Sequence, residues 1–168
     1  MLLVFLGRNY HKSYYVRELS TLLPLSIGSV SGYLQILQES GLVRSEWKGR
    51  TLLFRADITQ TIVREAKILA TLIELSPLVI NGKDLTTRII LFGSCATGED
   101  TTESDIDLYI ETESQQKVSD LINHYGVNIS RKISPVILSH EEARQLPLRD
   151  RPFFESIRTG KILSGETI

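Results

Sequence analysis

The sequence is poor in the residues that mark unusual classes of protein. Its 168 residues include a single cysteine, Cys95, which excludes an internal disulfide and suits a reducing, intracellular setting. The three histidines are scattered and give no metal-ligand spacing. No run reaches the roughly 18 apolar residues of a membrane span, and the opening run from Met1 to Leu6 is too short for a signal peptide. These absences predict a soluble, cytoplasmic protein.

The chain also lacks an overall excess of charge. Its formal net charge is −1 at pH 7, so the molecule as a whole carries no nucleic-acid signature. Residues 1–58, however, hold seven Lys or Arg against four Asp or Glu, a balance of +3 that leaves −4 for the remainder. A chain of this length can form one medium domain or two small ones, and the uneven charge is consistent with two.

The pattern of residues 13–56 predicts two helices followed by a hairpin. Ser13 is a candidate N-cap for a first helix, which Pro24 brings to an end. Ser26 is a candidate N-cap for a second helix, and Gly41 is its candidate C-terminal residue. The second helix has one apolar stripe that we expect to be buried, formed by Ile27, Val30, Leu34 and Leu37.

The second helix and the hairpin carry the residues expected to contact DNA. Strand-like runs at 42–47 and 51–56 flank a basic tip. This order is typical of a winged helix-turn-helix, in which a helix with small polar side chains enters the major groove and the hairpin reaches phosphate. The alternative is a dimerisation or protein-docking module whose polar face is solvated. The predicted DNA-contacting residues are Ser29, Ser31, Gln35, Lys48 and Arg50.

Residues 59–85 predict a helix that connects two domains, with Thr59 as its candidate N-cap. Apolar side chains recur along it at helical spacing, so one face should be covered. We expect burial inside this chain, and the alternative is a seam between two copies of the chain. The face consists of Ile62, Ala66, Leu69 and Ile73, with Ile58 one turn earlier and Leu72 and Leu75 widening it.

The middle of the chain combines a buried strand, a turn and two acids. The strand 86–93 ends at Gly93 and Ser94, and a second strand carries Asp105 and Asp107. Alternate side chains of a strand share a face, so the two carboxylates should repel one another unless a cation neutralises them. Mg²⁺ binds such carboxylates together with phosphate oxygens, and the glycine-serine turn offers a phosphate close backbone approach and a hydroxyl. The alternative is a chance pair of surface aspartates.

The joint pattern of Gly93-Ser94, ten intervening residues and Asp105-x-Asp107 resembles the signature of the polymerase β-like nucleotidyltransferase superfamily. The fuller stretch "FGSCATG…SDIDL" is similar to its minimal nucleotidyltransferase branch. The resemblance implies that Gly93 and Ser94 bind the nucleotide triphosphate. It also implies that Asp105 and Asp107 are catalytic and bind Mg²⁺ or Mn²⁺, with an NTP as substrate or ligand.

Nearly the whole chain resembles winged-helix proteins fused to a nucleotidyltransferase domain, most clearly at 13–56, 90–110 and 133–166. The resemblance implies an α+β protein. Its expected parts are a winged helix-turn-helix DNA-binding domain at 1–58, a connecting helix and linker at 59–85, and a nucleotidyltransferase α/β domain with a mixed sheet at 86–168.

The sequence departs from this family pattern at one position. The resemblance implies a third carboxylate on a later strand, here 133–138, which contains no acid. Ser134 or Pro135 occupies the expected position. Glu111 is expected to lie roughly 13 Å along the strand from Asp107, which is too far to replace the third carboxylate. Glu141 and Glu142 are expected to open a helix.

Two alternative functions are therefore expected, and the absence of an acid from 133–138 is the reason for considering the second. The first is Mg²⁺-dependent transfer of a nucleotidyl group from an NTP to an unknown hydroxyl acceptor, by a protein that binds DNA. The alternative is a DNA-binding transcriptional regulator whose second domain is inactive and senses nucleotide or docks a partner. A homodimer is a further possibility, and the resemblance alone suggests a small toxin-like partner protein.

Overall fold

The computed structural model describes residues 1–166, and its contacts divide the chain into two compact units. The first unit is Met1–Lys67 and the second begins at Ile68. The division falls inside one long helix, within the segment expected to connect two domains. Across the residues that the structure describes, no helix is long and apolar enough to cross a membrane.

The first unit contains three helices followed by a two-stranded antiparallel sheet. A hydrophobic core joins the helices to the hairpin, and Leu6, Leu19 and Val30 are fully buried in it. The elements are α1 (Leu2–Arg8), α2 (Val16–Leu22), α3 (Ile27–Glu39), β1 (Val43–Lys48) and β2 (Thr51–Ala56).

Local sequence signals for α3 and the hairpin are confirmed. The Ser26 hydroxyl accepts a hydrogen bond from the Ser29 amide at 3.1 Å, as an N-cap does. Gly41 lies just beyond the end of α3 with a φ of 71°, the left-handed conformation that ends helices. Gly49 opens the two-residue loop between β1 and β2 with a φ of 64°.

Two other local predictions are wrong. Ser13 does not cap α2, because Tyr14 forms a β-bridge with Phe54 that keeps this segment extended up to the N-cap, Tyr15. The Ser13 hydroxyl instead donates a hydrogen bond to Glu46. Ile27 is exposed, although Val30 and Leu34 of the same predicted stripe are buried. A residue in the first turn of α3 thus lies beyond the edge of the core.

The predicted connecting helix is confirmed as α4 (Thr61–Gly82), but its buried face was assigned wrongly. Thr59 does not cap it, because its amide and hydroxyl both donate hydrogen bonds to Asp57 Oδ1. The predicted face is exposed at Ile62, Leu69 and Ile73, whereas Leu75, which was expected to widen it, is fully buried. The helix buries a different side, formed by Val63, Lys67, Ile68, Thr71, Leu75 and Leu78.

The second unit is built on a four-stranded mixed sheet with strand order β5-β4-β3-β6. β3 pairs antiparallel with both β4 and β6, whereas β4 and β5 are parallel. The elements after α4 are β3 (Arg88–Phe92), α5 (Ser94–Thr97), β4 (Ile106–Glu111), α6 (Gln115–Gly126), β5 (Ile133–Leu138), α7 (His140–Arg149), α8 (Arg151–Arg158) and β6 (Lys161–Ser164).

The sheet has an apolar face and a second face that carries the acids. Ile106 and Leu108 are fully buried in the core that includes side chains from α4 and α6. Tyr109 points to the other face, where it belongs to a smaller cluster with Ile157 of α8. Because alternate residues of a strand share a face, Asp107 and Glu111 lie on the Tyr109 side.

Candidate active site

The acid pair lies at the start of β4, next to the turn that follows β3. Asp107 is paired in register with Phe92, the last residue of β3. Asp105 directly precedes β4, and its backbone carbonyl accepts a hydrogen bond from Cys95 Sγ at 3.3 Å. The structure therefore brings the turn and the two acids together, which is the arrangement that a phosphate-and-metal site requires.

Gly93 allows this close approach. Its φ of 67° and ψ of −156° belong to a region that is essentially restricted to glycine. A Cβ atom at this position would overlap Asp107 Oδ2, so the carboxylate occupies the space that any other residue would fill. The Ser94 hydroxyl makes no hydrogen bond within residues 1–166, although the Ser94 carbonyl accepts one from the Glu99 amide. That hydroxyl remains available to a ligand.

The charge at this site is only partly compensated. In the described part of the chain, the Asp107 carboxylate has neither a hydrogen bond nor an ion pair. Burial raises the pKa of Asp107, and the charge of Asp105 raises it further. Lys132 Nζ lies 3.4 Å from Asp105 Oδ2, but the lysine side chain is 73% exposed. Such a solvated pair contributes little, so the two acids keep a net negative charge.

Oxygen ligands of this kind suit Mg²⁺ or Mn²⁺ better than a softer metal. Burial and the charge of Asp105 together raise the Asp107 pKa, and a divalent cation would offset the second of these causes. Within residues 1–166 there is no group of three or more His, Cys, Asp or Glu side chains arranged to hold a metal ion. The residues present therefore fit a cation that is shared with the phosphates of a ligand.

The register of β5 shows which residue stands beside Asp107. Asp107 of β4 is paired with Ser134, and Leu108 is paired with Pro135. Of the two residues expected at the position of the third carboxylate, Ser134 is therefore the neighbour of Asp107. Its hydroxyl is neutral, so the strand supplies no third negative charge.

The other acids are engaged in structural contacts. Glu111 is at the far end of β4, where it forms an ion pair with Arg88 and a hydrogen-bonded contact with His140. Glu142 completes a capping box with Ser139 at the start of α7, as expected of an acid that opens a helix. Glu141 binds Arg144 and Gln145 on the same helix.

A buried arginine supports the loop that follows the turn, and sequence reasoning missed it. Arg131 donates hydrogen bonds to Cys95 Sγ at 3.2 Å and to Asp100 Oδ2 at 2.9 Å. It also donates to Thr71 and Glu74 of α4. The guanidinium thus ties α5 and its following loop to the long helix. The available signal was the Arg131-Lys132 pair directly before β5, which the parallel pairing brings to the start of β4.

The residues predicted to contact DNA are all exposed in the first unit. Lys48 and Arg50 flank the hairpin turn. On α3, the hydroxyls of Ser29 and Ser26 lie 2.9 Å apart, and Gln35 donates a hydrogen bond to Glu39. The same helix also exposes Tyr33 and Ile36, which the prediction omitted.

Comparison with known protein families identifies a family for the second unit. A family model described as "Polymerase beta, Nucleotidyltransferase" matches residues 79–163, just over half of the chain. The chain belongs to the polymerase beta nucleotidyltransferase family. A search of curated proteins gave no match.

The match to the nucleotidyltransferase family covers every residue of the candidate site. Gly93, Ser94, Asp105 and Asp107 lie inside it, as do Lys132 and Ser134. It runs from the end of α4 into β6, and so includes the whole mixed sheet as far as Leu163. A nucleotidyltransferase type of function is therefore supported for this unit.

Proposed function

We propose that the protein is a Mg²⁺- or Mn²⁺-dependent nucleotidyltransferase that transfers a nucleotidyl group from an NTP to a hydroxyl acceptor and binds DNA through its first unit. One observation carries the catalytic part. Two carboxylates, of which Asp107 lacks any partner in residues 1–166, lie against a glycine turn in a member of the nucleotidyltransferase family.

Two residues of the site would bind the phosphates, and two would bind the metal. Gly93 brings backbone close to the Asp107 carboxylate, and the Ser94 hydroxyl adjoins it with a free donor. These two residues would bind the triphosphate. Asp105 and Asp107 would hold the divalent cation, which when bound neutralises charge on the triphosphate and on the leaving group.

The reaction is a substitution at the α-phosphorus of the NTP. The acceptor oxygen forms a bond to that phosphorus and loses its proton, while the bond to the bridging oxygen breaks and pyrophosphate leaves. Asp105 and Asp107 serve this step as ligands that would hold the cation, and the acceptor proton passes to solvent. The Ser94 hydroxyl and the Gly93 turn hold the leaving phosphates in place.

The DNA-binding part rests on the first unit. Helices α2 and α3 are followed by a hairpin whose tip exposes Lys48 and Arg50. The exposed side of α3 includes Ser29, Ser31 and Gln35. A helix with small polar side chains beside a basic hairpin suits a major groove and its adjacent phosphates, and this supports a winged helix-turn-helix reading.

A specific observation favours a second candidate function. Ser134 is the β5 neighbour of Asp107, so the strand offers a hydroxyl in place of a third carboxylate. Two-metal catalysis clamps both the attacking and the leaving oxygen, and two acids are a small ligand set for that purpose. The second candidate is a DNA-binding regulator whose nucleotidyltransferase domain binds nucleotide without turnover.

Label transfer distinguishes the two candidates. Purified protein is incubated with α-labelled NTPs, Mg²⁺ or Mn²⁺ and cell lysate, beside an Asp105→Asn/Asp107→Asn variant and a Glu111→Gln control. Transfer by wild type and by the Glu111 control, lost in the double variant, is the result expected of the enzyme. Metal-dependent nucleotide binding without transfer supports the regulator, and no metal-dependent binding at all contradicts both.

DNA binding is tested separately at the hairpin tip. Replacing both Lys48 and Arg50 by Ala should weaken binding to DNA of any sequence. The slope of log affinity against log salt concentration should fall by about the amount that two phosphate contacts contribute. Lys117→Ala/Lys161→Ala removes the same charge from the second unit and should leave the salt dependence unchanged. Equal slopes for wild type and the Lys48/Arg50 variant would rule out the hairpin as a contact.

A further inference from the structure

Helix α4 exposes more large apolar side chains than a solvated helix should. Ile62, Leu69, Ile73 and Ile80 are between 58% and 71% exposed, although the helix buries an apolar side as well. The exposed residues all lie on one side, since their numbers differ by seven, four and seven. The same helix is thus apolar on two sides, of which the chain itself covers one.

The spacing of the exposed side is that of a coiled-coil seam. Positions 62, 66, 69, 73, 76 and 80 follow one another at intervals of four and three residues in strict alternation, which is the pattern of facing positions in paired helices. We call this set the α4 stripe. It consists of Ile62, Ala66, Leu69, Ile73, Ser76 and Ile80.

Large and small side chains follow one another in the same order from either end of the α4 stripe. From either end the side chains are large, small, large, large, small, large, and the pattern is centred on position 71. An interface with two-fold symmetry places the same patch of each copy against the other. We propose that the α4 stripe pairs with the α4 stripe of a second copy of this chain, with the two helices antiparallel and the two-fold axis at the level of Thr71.

The symmetric pairing matches side chains by size. Ile62 would meet Ile80 of the second copy, and Leu69 would meet Ile73. The small residues Ala66 and Ser76 would face each other between these layers, where the helices can approach closely. A parallel pairing would instead place each residue against its own equivalent, and the mirror order of the stripe would have no structural consequence.

Neighbouring contacts make the stripe suitable for burial. The Ser76 hydroxyl already donates a hydrogen bond to the Ile73 carbonyl at 2.9 Å, so covering it leaves no unpaired donor. On the opposite side of the helix, Thr71 is fully buried and accepts a hydrogen bond from Arg131. This contact holds the middle of α4 with the stripe facing outward.

The available area fits a modest dimer. The stripe spans 18 residues, or about 27 Å of helix. Four large side chains on each copy, each still exposing roughly 80–120 Å², bring roughly 800 Å² of apolar surface to the seam. With the flanking atoms this approaches the lower end of stable interfaces, about 1,200 Å² in total. We therefore expect a dissociation constant of roughly micromolar order.

Sedimentation velocity over about 1–200 µM protein tests the pairing. Wild type should shift from monomer to dimer with concentration, and Leu69→Glu/Ile73→Glu should stay monomeric throughout. Both positions are exposed in the single chain, so circular dichroism should show an unchanged fold. Leu148→Glu, at an exposed leucine on α7, is the matched control and should dimerise like wild type. A monomeric wild type, or a dimer that survives the double substitution, overturns the proposal.

Cysteine cross-linking tests the orientation. Cys95 is buried and will not interfere. An antiparallel pair predicts a disulfide between an Ile62→Cys chain and an Ile80→Cys chain when the two are mixed, and little cross-linking of either variant alone. Efficient cross-linking of Ile62→Cys to itself would indicate a parallel pair and overturn the proposed symmetry.

Discussion

The acids at the two ends of strand β4 differ in their contacts. Asp107 and Glu111 lie on the same face of the strand, one at each end, with Tyr109 between them. Glu111 is buried, accepts a hydrogen bond from Arg88 Nη1 at 2.9 Å and lies 2.7 Å from His140 Nδ1. Asp107 has no such partner within residues 1–166, and its pKa is raised. One end is neutralised by the chain and the other is left charged.

This difference separates a structural acid from one that is suited to a ligand. Glu111 joins β3, β4 and the start of α7 through its contacts with Arg88 and His140. Tyr109 stays neutral between the two ends, because burial, together with the charge of Glu111, raises its pKa to about 12. The charge of Asp105 and Asp107 is offset only in part, by Lys132, so the carboxylates at the two ends should respond oppositely to substitution.

The largest expected effect is on nucleotide binding. Asp107→Asn should weaken Mg²⁺- or Mn²⁺-dependent NTP binding by at least roughly 100-fold, because it removes a charged metal ligand. Glu111→Gln should change it by less than about twofold. Isothermal titration calorimetry measures both, and equal losses in the two variants would show that the ends of the strand are not distinct.

Glu111→Gln should instead cost stability. The buried ion pair with Arg88 loses its anion and the contact with His140 is weakened, so we expect a loss of about 1.5–3 kcal/mol. This corresponds to a fall in Tm of roughly 3–12 °C. Scanning calorimetry can measure it, with Asp105→Asn as the comparison that should not destabilise the protein. A Glu111 variant as stable as wild type would contradict the structural role.

Gly93→Ala tests the contact between the turn and Asp107. Its backbone conformation and the overlap with the carboxylate should together cost about 1–3 kcal/mol. Gly32→Ala, in the interior of α3 with open space around it, should be neutral or stabilising by up to about 1 kcal/mol. Urea denaturation compares the two, and similar values for both would argue against a required glycine at position 93.

A smaller effect is expected at Lys132, which pairs with Asp105. Lys132→Ala should tighten binding of Mn²⁺ alone by about two- to threefold, because it removes a competing but solvent-screened charge. Lys117→Ala, an exposed lysine on α6, should leave Mn²⁺ affinity unchanged. Paramagnetic resonance of free Mn²⁺ provides the measurement, and weaker binding in the Lys132 variant would contradict the prediction.

The smallest effect concerns pH. The pKa of Asp107 is higher in the folded chain than in the unfolded chain, so the folded state binds more protons between the two values. Stability is therefore lost as pH rises from below about 3.8 through the raised pKa. Without divalent metal, Asp107→Asn should exceed the wild-type Tm above this range by about 1–2 °C, after allowance for solvent screening.

The control for this pH effect is the same pair of proteins at lower pH. Below the range, where Asp107 is protonated in both the folded and the unfolded chain, the two Tm values should converge. Saturating Mg²⁺ and nucleotide at neutral pH should reverse their order, because ligand binding stabilises only the wild type. An unchanged Tm difference from pH 3 to pH 7 would show that Asp107 is not the group responsible for this pH dependence.

Much of the secondary structure could be predicted because its signals are local. Ser26 caps α3 through contacts within one helical turn. Strands also form beside Gly93 and around Asp107, although β3 is shorter than the predicted 86–93 and β4 begins after Asp105. Ser13 failed as a cap because Tyr14 pairs with the distant Phe54. The short strand β6 was missed because four residues carry too little pattern to be recognised.

The site was predicted only in part for a similar reason. Gly93 and Asp107 could be placed from the sequence because Gly93 directly follows one strand and Asp107 lies near the start of the next. Lys132 was not assigned a place, and Ser134 was only one of two alternatives for the position of the third carboxylate. Both residues join the acids only through the parallel pairing of β4 and β5. The partners of Glu111 likewise come from β3 and α7, far apart in sequence.

By itself the sequence determined that a strand carrying Asp107, with Asp105 directly before it, follows a glycine-serine turn, because strand periodicity and glycine conformation act over a few residues. It also determined that α4 is a helix. Only the tertiary structure decided which side of α4 is covered, since both sides are apolar and the choice depends on distant side chains. The same holds for β4, where long-range strand and helix packing neutralises Glu111 and leaves Asp107 without a partner.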